Sequence, residues 1–140
     1  MVLKLKIRNE HLKVLEKEAR KSWPVEACAI LIGHRKNELS EVVEVVLTQN
    51  VDASSITFKV DPLVLYNIYR KAEAEGREVV GVFHSHPAPP RPSGIDAEYM
   101  KVTLIPWLIM SMPSRSLGAY IWKDGSIIDV ELEVIDQNSK

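Results

Sequence analysis

Apolar positions follow two rhythms along this chain, and the breaks between them fall at proline, glycine and asparagine. From Asn9 onward Leu12, Leu15 and Ala19 recur at helical spacing. This predicts a helix capped by Asn9 and running to about Ser22, where Trp23-Pro24 stops it. "VEACAILIG" then reads as a short buried strand closed by Gly33, and the β-branched "ELSEVVEVVLTQN" as its hairpin partner, with "HRKN" as the turn. "SITFKV" reads as a further strand. Asp61-Pro62 marks a helix start, a capping aspartate followed by proline at the first helical position. That helix carries Leu65, Ile68, Tyr69 and Ala72 inward and ends at Gly76.

"EVVGVFHSH" is a near-continuous apolar run of the kind found in the middle of a sheet. The "PAPPRP" that follows fits neither helix nor central strand. Ser93 opens a helix through about Leu104. "WLIMSM" and "LGAYIW" are strands, and "KDGS" turns the chain into "IIDVELEVID", read as one strand. The order is α-β-β-β-α-β-α-β-β-β, which predicts an α/β fold with helices packed on a mixed sheet. The N-terminal "MVLKLKIRNEHLKVLEKEARK" reads as amphipathic and charged, not as a signal peptide. The tail "DQNSK" reads as frayed.

With 140 residues, 46% of them hydrophobic and 26% charged, the chain has the length and composition of one globular domain spanning 1–140. The formal net charge is −1, with both signs mixed. This gives no basic stripe for nucleic acid. No apolar run is long enough to span a bilayer. The one cysteine, Cys28, excludes an internal disulfide and a zinc site built from several thiolates, and it fits a reducing cytoplasm.

Candidate chemistry is concentrated in "GVFHSHPAPPRPSGID". On a strand, His84 and His86 share a side while Ser85 faces the other. Two adjacent imidazoles form a metal bite; the alternative is a pair of partly exposed rings bonded to loop carbonyls. Ser93 and Asp96 form an S-x-x-D capping box, worth about 1 kcal/mol as a cap alone. The same spacing sets a carboxylate in the first helical turn, near the histidine pair. The intervening prolines hold the two pieces in relation at reduced entropic cost. His84, His86 and Asp96 supply two nitrogens and one oxygen, a set suited to one Zn2+ with an open corner. A hydrolytic zinc site also needs a general base. Glu26, the acid that enters a buried apolar strand, is the candidate, against the alternative of a solvated strand-start carboxylate.

"WPVEACAILIG" followed by "HSHPAPPRPSGID" resembles the JAMM (MPN-plus) zinc metalloprotease family, whose pattern is a glutamate, then H-[ST]-H-P, a spacer and S-x-x-D. The resemblance extends to nearly the whole chain and implies a curved mixed sheet flanked by helices, a cytidine-deaminase-like architecture. It implies that His84, His86 and Asp96 hold the zinc, that Glu26 is the general acid/base and that Ser93 stabilises the oxyanion. All five positions are present, which disfavours the metal-free, non-catalytic interaction modules of the same fold. Zinc deaminases need a P-C-x-x-C that one cysteine cannot supply. The six-residue spacer between His86 and Ser93 is short, like that of prokaryotic members, and Ala29 stands where glycine is common.

The implied activity is a zinc-dependent isopeptidase that cuts after the C-terminal diglycine of a ubiquitin-like small modifier joined to lysine or fused to an extension. A peptidase that processes a sulfur-carrier protein is the alternative. A homodimer is compatible with either. Cys28 reads as a buried thiol, with a thiolate nucleophile as the alternative. His11 and His34 read as solvated, Met110 and Met112 as core and groove lining, and Trp23, Trp107 and Trp122 as packing anchors. Arg91, alone among the loop prolines, is a candidate contact for an acidic patch or tail on the partner.

Overall fold

The structure is a computed structural model, and residues 3–52 and 60–136 are described. The strand expected at "SITFKV", residues 55–60, lies outside them except for Val60. The elements in chain order are β1 (Lys4–Arg8), α1 (Asn9–Ser22), β2 (Cys28–Lys36), β3 (Leu39–Thr48), α2 (Pro62–Ala74), β4 (Glu78–His86), α3 (Gly94–Thr103), β5 (Trp107–Ser111), β6 (Leu117–Lys123), β7 (Ser126–Asp129) and β8 (Glu131–Ile135).

All eight strands join one sheet in the order β7-β6-β5-β4-β2-β3-β1-β8. β1 lies parallel to β3 and to β8, and β4 parallel to β5; the other neighbours are antiparallel. The two edge strands, β7 and β8, are separated in sequence only by Val130, so the sheet has to curl until its edges nearly meet. The Val130 N–H donates to the Ala119 carbonyl on β6 and the Glu131 N–H to the Leu3 carbonyl, which ties the seam. The single strand expected over "IIDVELEVID" is therefore broken at Val130, which is buried inside the curl.

Alternation explains why β2 and β4 read as unbroken apolar runs. Ala29, Leu31 and Phe83 belong to one core cluster, with Leu15 and Ala19 of α1. Ile30, Ile32 and Val82 belong to the other, with Ala72 of α2 and Met100 of α3. A strand with a core on each side has no polar face to show. Ala29 is fully buried and fits the position where glycine is common in the family.

Several local expectations are corrected. β1 precedes the first element that the pattern predicts: Leu3, Leu5 and Ile7 are buried and alternate with Lys4, Lys6 and Arg8, the period of a strand. Asn9 is the first helical residue; Arg8 stands at the cap position of α1 and makes no side-chain cap bond. The β2–β3 turn is Asn37-Glu38, with Asn37 in the left-handed region, so His34 lies on β2 and is exposed as expected. Trp23 is 45% exposed and anchors little, whereas Trp107 is buried. His11 is half-buried, and burial lowers its pKa. Tyr69 is 47% exposed, so α2 packs more shallowly than its apolar spacing suggests. The Asp61 cap, the Ser93 capping box and the Asp124-Gly125 turn form as read. No helix among the described residues is long and apolar enough to cross a membrane.

Candidate metal centre

The chain enters the site through β4. Its last residues, His84 and His86, sit between β2 and β5, with His84 opposite Cys28 on one side and Ile109 on the other. Both rings fall on the α3 side of the sheet, as period-2 alternation requires, and the His84 ring meets Trp107 edge to face with centroids 5.7 Å apart. The proline loop then leads to α3. There the Ser93 Oγ accepts from the Asp96 N–H at 3.0 Å, and the Ser93 N–H donates to Asp96 Oδ2 at 2.9 Å. The capping box thereby fixes Asp96 as well as the helix end.

Ligand atoms of His84, His86 and Asp96 all lie within 4.8 Å of one another, an arrangement that can hold a metal ion. Glu26 joins them: its Oε1 is 3.0 Å from His84 Nδ1, while His84 Nε2 is 3.3 Å from Asp96 Oδ2. Glu26, His86 and Ser93 line an open cavity of about 380 Å3, walled by the loop prolines and Arg91. The five residues singled out in the sequence thus come together. Glu26 is buried, at 3% exposure, so the solvated alternative for it is set aside.

The donor set fits a cation. His86 Nε2 donates to the Arg91 carbonyl at 3.1 Å, and its Nδ1 is buried with no hydrogen-bond partner among the described residues. A ring held through one nitrogen with the other left over matches the outer-shell arrangement of metal-ligating histidines. The charges agree. Burial disfavours the charged form of His84, but the flanking Asp96 and Glu26 carboxylates outweigh it and push the pKa up to about 9. Burial alone would raise Asp96, yet His84 and the Ser93 bonds hold it below the usual carboxylate range. Burial and the neighbouring His84 lower His86. Two carboxylates facing a buried imidazole form a pocket that favours positive charge, whether a proton or a metal.

Two polar residues that the sequence did not single out hold Glu26 in place. The Ala27 N–H donates to Ser85 Oγ at 3.0 Å, and the Ser85 N–H donates back to the Ala27 carbonyl at 3.0 Å. Asn50 Nδ2 donates to the Glu26 carbonyl at 3.0 Å. Glu26 precedes the β2 ladder, so these bonds replace strand pairing there. The only signal for Ser85 was its place between the histidines; nothing local marks Asn50. Cys28 bonds with Thr48, and burial first, then the carboxylates of Glu26 and Glu18, raise its pKa. This favours a protonated thiol over a thiolate nucleophile.

Comparison with known proteins agrees with this geometry. The family model described as prokaryotic homologs of the JAB domain matches residues 8–122. A desampylase from Pyrococcus furiosus is 35% identical over 114 residues, covering 81% of this chain and 79% of the relative. A desampylase from Haloferax volcanii is 28% identical, covering 79% of each. A protein from Desulfitobacterium hafniense solved in solution superposes with a TM-score of 0.82 at 26% identity, covering 95% of this chain and 94% of that one. The fold of a JAB1/MPN domain protein from Archaeoglobus fulgidus also matches, with a TM-score of 0.58 at 23% identity, over 92% of this chain and 97% of that one. These relationships make the chain an enzyme, a hydrolytic isopeptidase, and not a bare interaction module. With the family match running through Glu26, His84, His86, Ser93 and Asp96, the chain belongs to the prokaryotic JAB-domain proteins of the JAMM/MPN family.

Proposed function

We propose that this protein is a zinc-dependent isopeptidase that releases a ubiquitin-like small modifier by cutting after its C-terminal diglycine, where the modifier is joined to lysine or to a fused extension. The observation that carries the reading is the buried His84–His86–Asp96 group beside a cavity lined by Glu26 and Ser93. The relatives named desampylase support a modifier as substrate. We take residues 1–140 as one catalytic domain acting in the cytoplasm.

In this reading His84, His86 and Asp96 would hold the zinc. Bound there, zinc would supply Lewis acidity and make a water nucleophilic near neutral pH. Glu26 takes a proton from the attacking water and delivers it to the departing amine, work worth 10²–10⁴-fold for a positioned acid/base, an order-of-magnitude figure. The Ser93 cap uses a lone pair of Oγ and leaves its O–H to donate to the carbonyl oxygen as charge develops. Glycines in the substrate tail bring no Cβ, so its backbone can lie close against the proline-walled cavity. Next to it α3 turns Ile95, Tyr99 and Val102 to solvent, an apolar strip suited to the folded body of a modifier.

The sulfur-carrier alternative uses the same residues on a linear extension. A modifier–lysine conjugate and a linear modifier fusion, incubated side by side with and without chelator, separate the two. Chelator-sensitive cleavage of the conjugate is expected. Cleavage of the fusion alone would assign the alternative, and chelator-resistant cleavage would overturn the zinc reading.

A further inference from the structure

The loop between β4 and α3 rests on a seat that no motif marks. Pro90 turns its carbonyl onto β6 at Gly118 so closely that a Cβ there would overlap the Pro90 oxygen. Tyr120, two residues further along β6, covers the same spot: its Cε2 and Oη lie 2.7 Å from where that Cβ would stand. A glycine inside a strand weakens it, and close approach of another backbone is the usual return. Around Pro90 the chain is tight. The Arg91 N–H donates to the Pro89 carbonyl at 2.7 Å, and the Arg91 carbonyl accepts from His86 Nε2 at 3.1 Å. A short run of backbone therefore connects the surface of β6 to the orientation of the His86 ring. Pro87, Pro89, Pro90 and Pro92 leave that run little freedom to absorb a displacement at one end.

We propose that Gly118 is a positioning residue for the metal centre: by letting the Pro90 carbonyl seat on β6, it sets the Arg91 carbonyl that orients His86. This rests on the reading of His86 as a zinc ligand. A side chain at 118 displaces the loop, turns the imidazole and weakens the grip on the ion, while β6, paired with β5 and β7, keeps its place. The tyrosine ring can swing away from an added methyl; the carbonyl of a proline-stiffened turn cannot.

The test is Gly118→Ala, with zinc affinity measured by competition against a chromophoric chelator and the fold followed by circular dichroism and melting of the metal-free protein. Loss of the hydrogen bond that orients a ligating imidazole typically costs about 10–100-fold in metal affinity, and a weakening of about that size is expected with the fold retained. Gly94→Ala is the control, because a Cβ at that position meets nothing within 4 Å; its zinc affinity is expected to stay within about twofold. A folded Gly118→Ala that binds zinc like the wild type overturns the inference, as does an equal loss in Gly94→Ala. Should Gly118→Ala not fold, Pro90→Gly decides: it adds no side-chain bulk, loosens the same carbonyl and is expected to weaken zinc several-fold, whereas unchanged affinity overturns the seat. A wild type that takes up no zinc removes the metal reading and this inference together, so the two failures are distinguishable.

Discussion

At the residue scale the proposed mechanism gives Glu26 and Ser93 distinct roles, and substitution separates them. Glu26→Gln keeps shape and burial but removes the proton acceptor. Turnover is expected to fall by about 10²–10⁴-fold while zinc content stays at the wild-type level. Loss of zinc instead would make Glu26 a ligand. For Ser93 two effects compete: loss of a cap costs about 1 kcal/mol of stability, and loss of an oxyanion donor about 10²–10³-fold in kcat. Ser93→Ala is thus expected to lower kcat far more than it lowers the melting temperature; a pure cap would show the reverse. His84 adds a pH dependence to the metal-free protein. Its pKa in the fold is about 9, above the value of about 6.5 for a free imidazole. Its contribution to stability is therefore fully present below that lower value and lost as pH rises through about 9. Denaturation in chelator at pH 6 and pH 9.5 should show the more acidic sample stabilised by this group, and His84→Gln should flatten the difference.

The elements show which features can be read locally and which cannot. His84 and His86 are two apart on one strand, and Ser93 and Asp96 three apart at a helix start, so each half of the site is fixed by local periodicity. Asp61-Pro62 and Asp124-Gly125 are legible for the same reason: each is a single turn's chemistry. Asn50, Ser85 and Gly118 act across the sheet. Asn50 reaches Glu26 because β2 and β3 pair Cys28 with Thr48, and Ser85 reaches Ala27 because β2 and β4 pair Cys28 with His84. No local pattern encodes that register. β1 is a different case, because its alternation was present in the sequence but merged with the charged helix that follows. Asn50→Ala tests the support for Glu26. It leaves a buried carbonyl unpaired at a cost of about 1–3 kcal/mol. Turnover is expected to drop several-fold with zinc affinity unchanged; full turnover with only a lower melting temperature would make Asn50 purely structural.

For the whole molecule, the curl of the sheet is decisive. Closing β7 toward β8 leaves α2 and α3 together on one outer face and sets the C-terminal end of β4 against the start of α3. The cavity and the apolar strip of α3 therefore adjoin, which suits a substrate with a flexible tail and a folded body. Tyr99→Ala is expected to raise KM for a modifier conjugate by about tenfold, or 1.4 kcal/mol. It should leave kcat, and cleavage of a short tail peptide, unchanged. An equal loss on both substrates would assign Tyr99 to the fold.

The central claim is that one metal ion, held by His84, His86 and Asp96, is required for peptide-bond cleavage. Titrating the metal-stripped protein with zinc while following cleavage of a modifier–lysine conjugate tests it most directly. Activity is expected to be absent at the start, to rise linearly, to saturate at one zinc per chain, and to be lost with zinc binding in His86→Ala. Full cleavage by the stripped protein before any zinc is added would contradict the account.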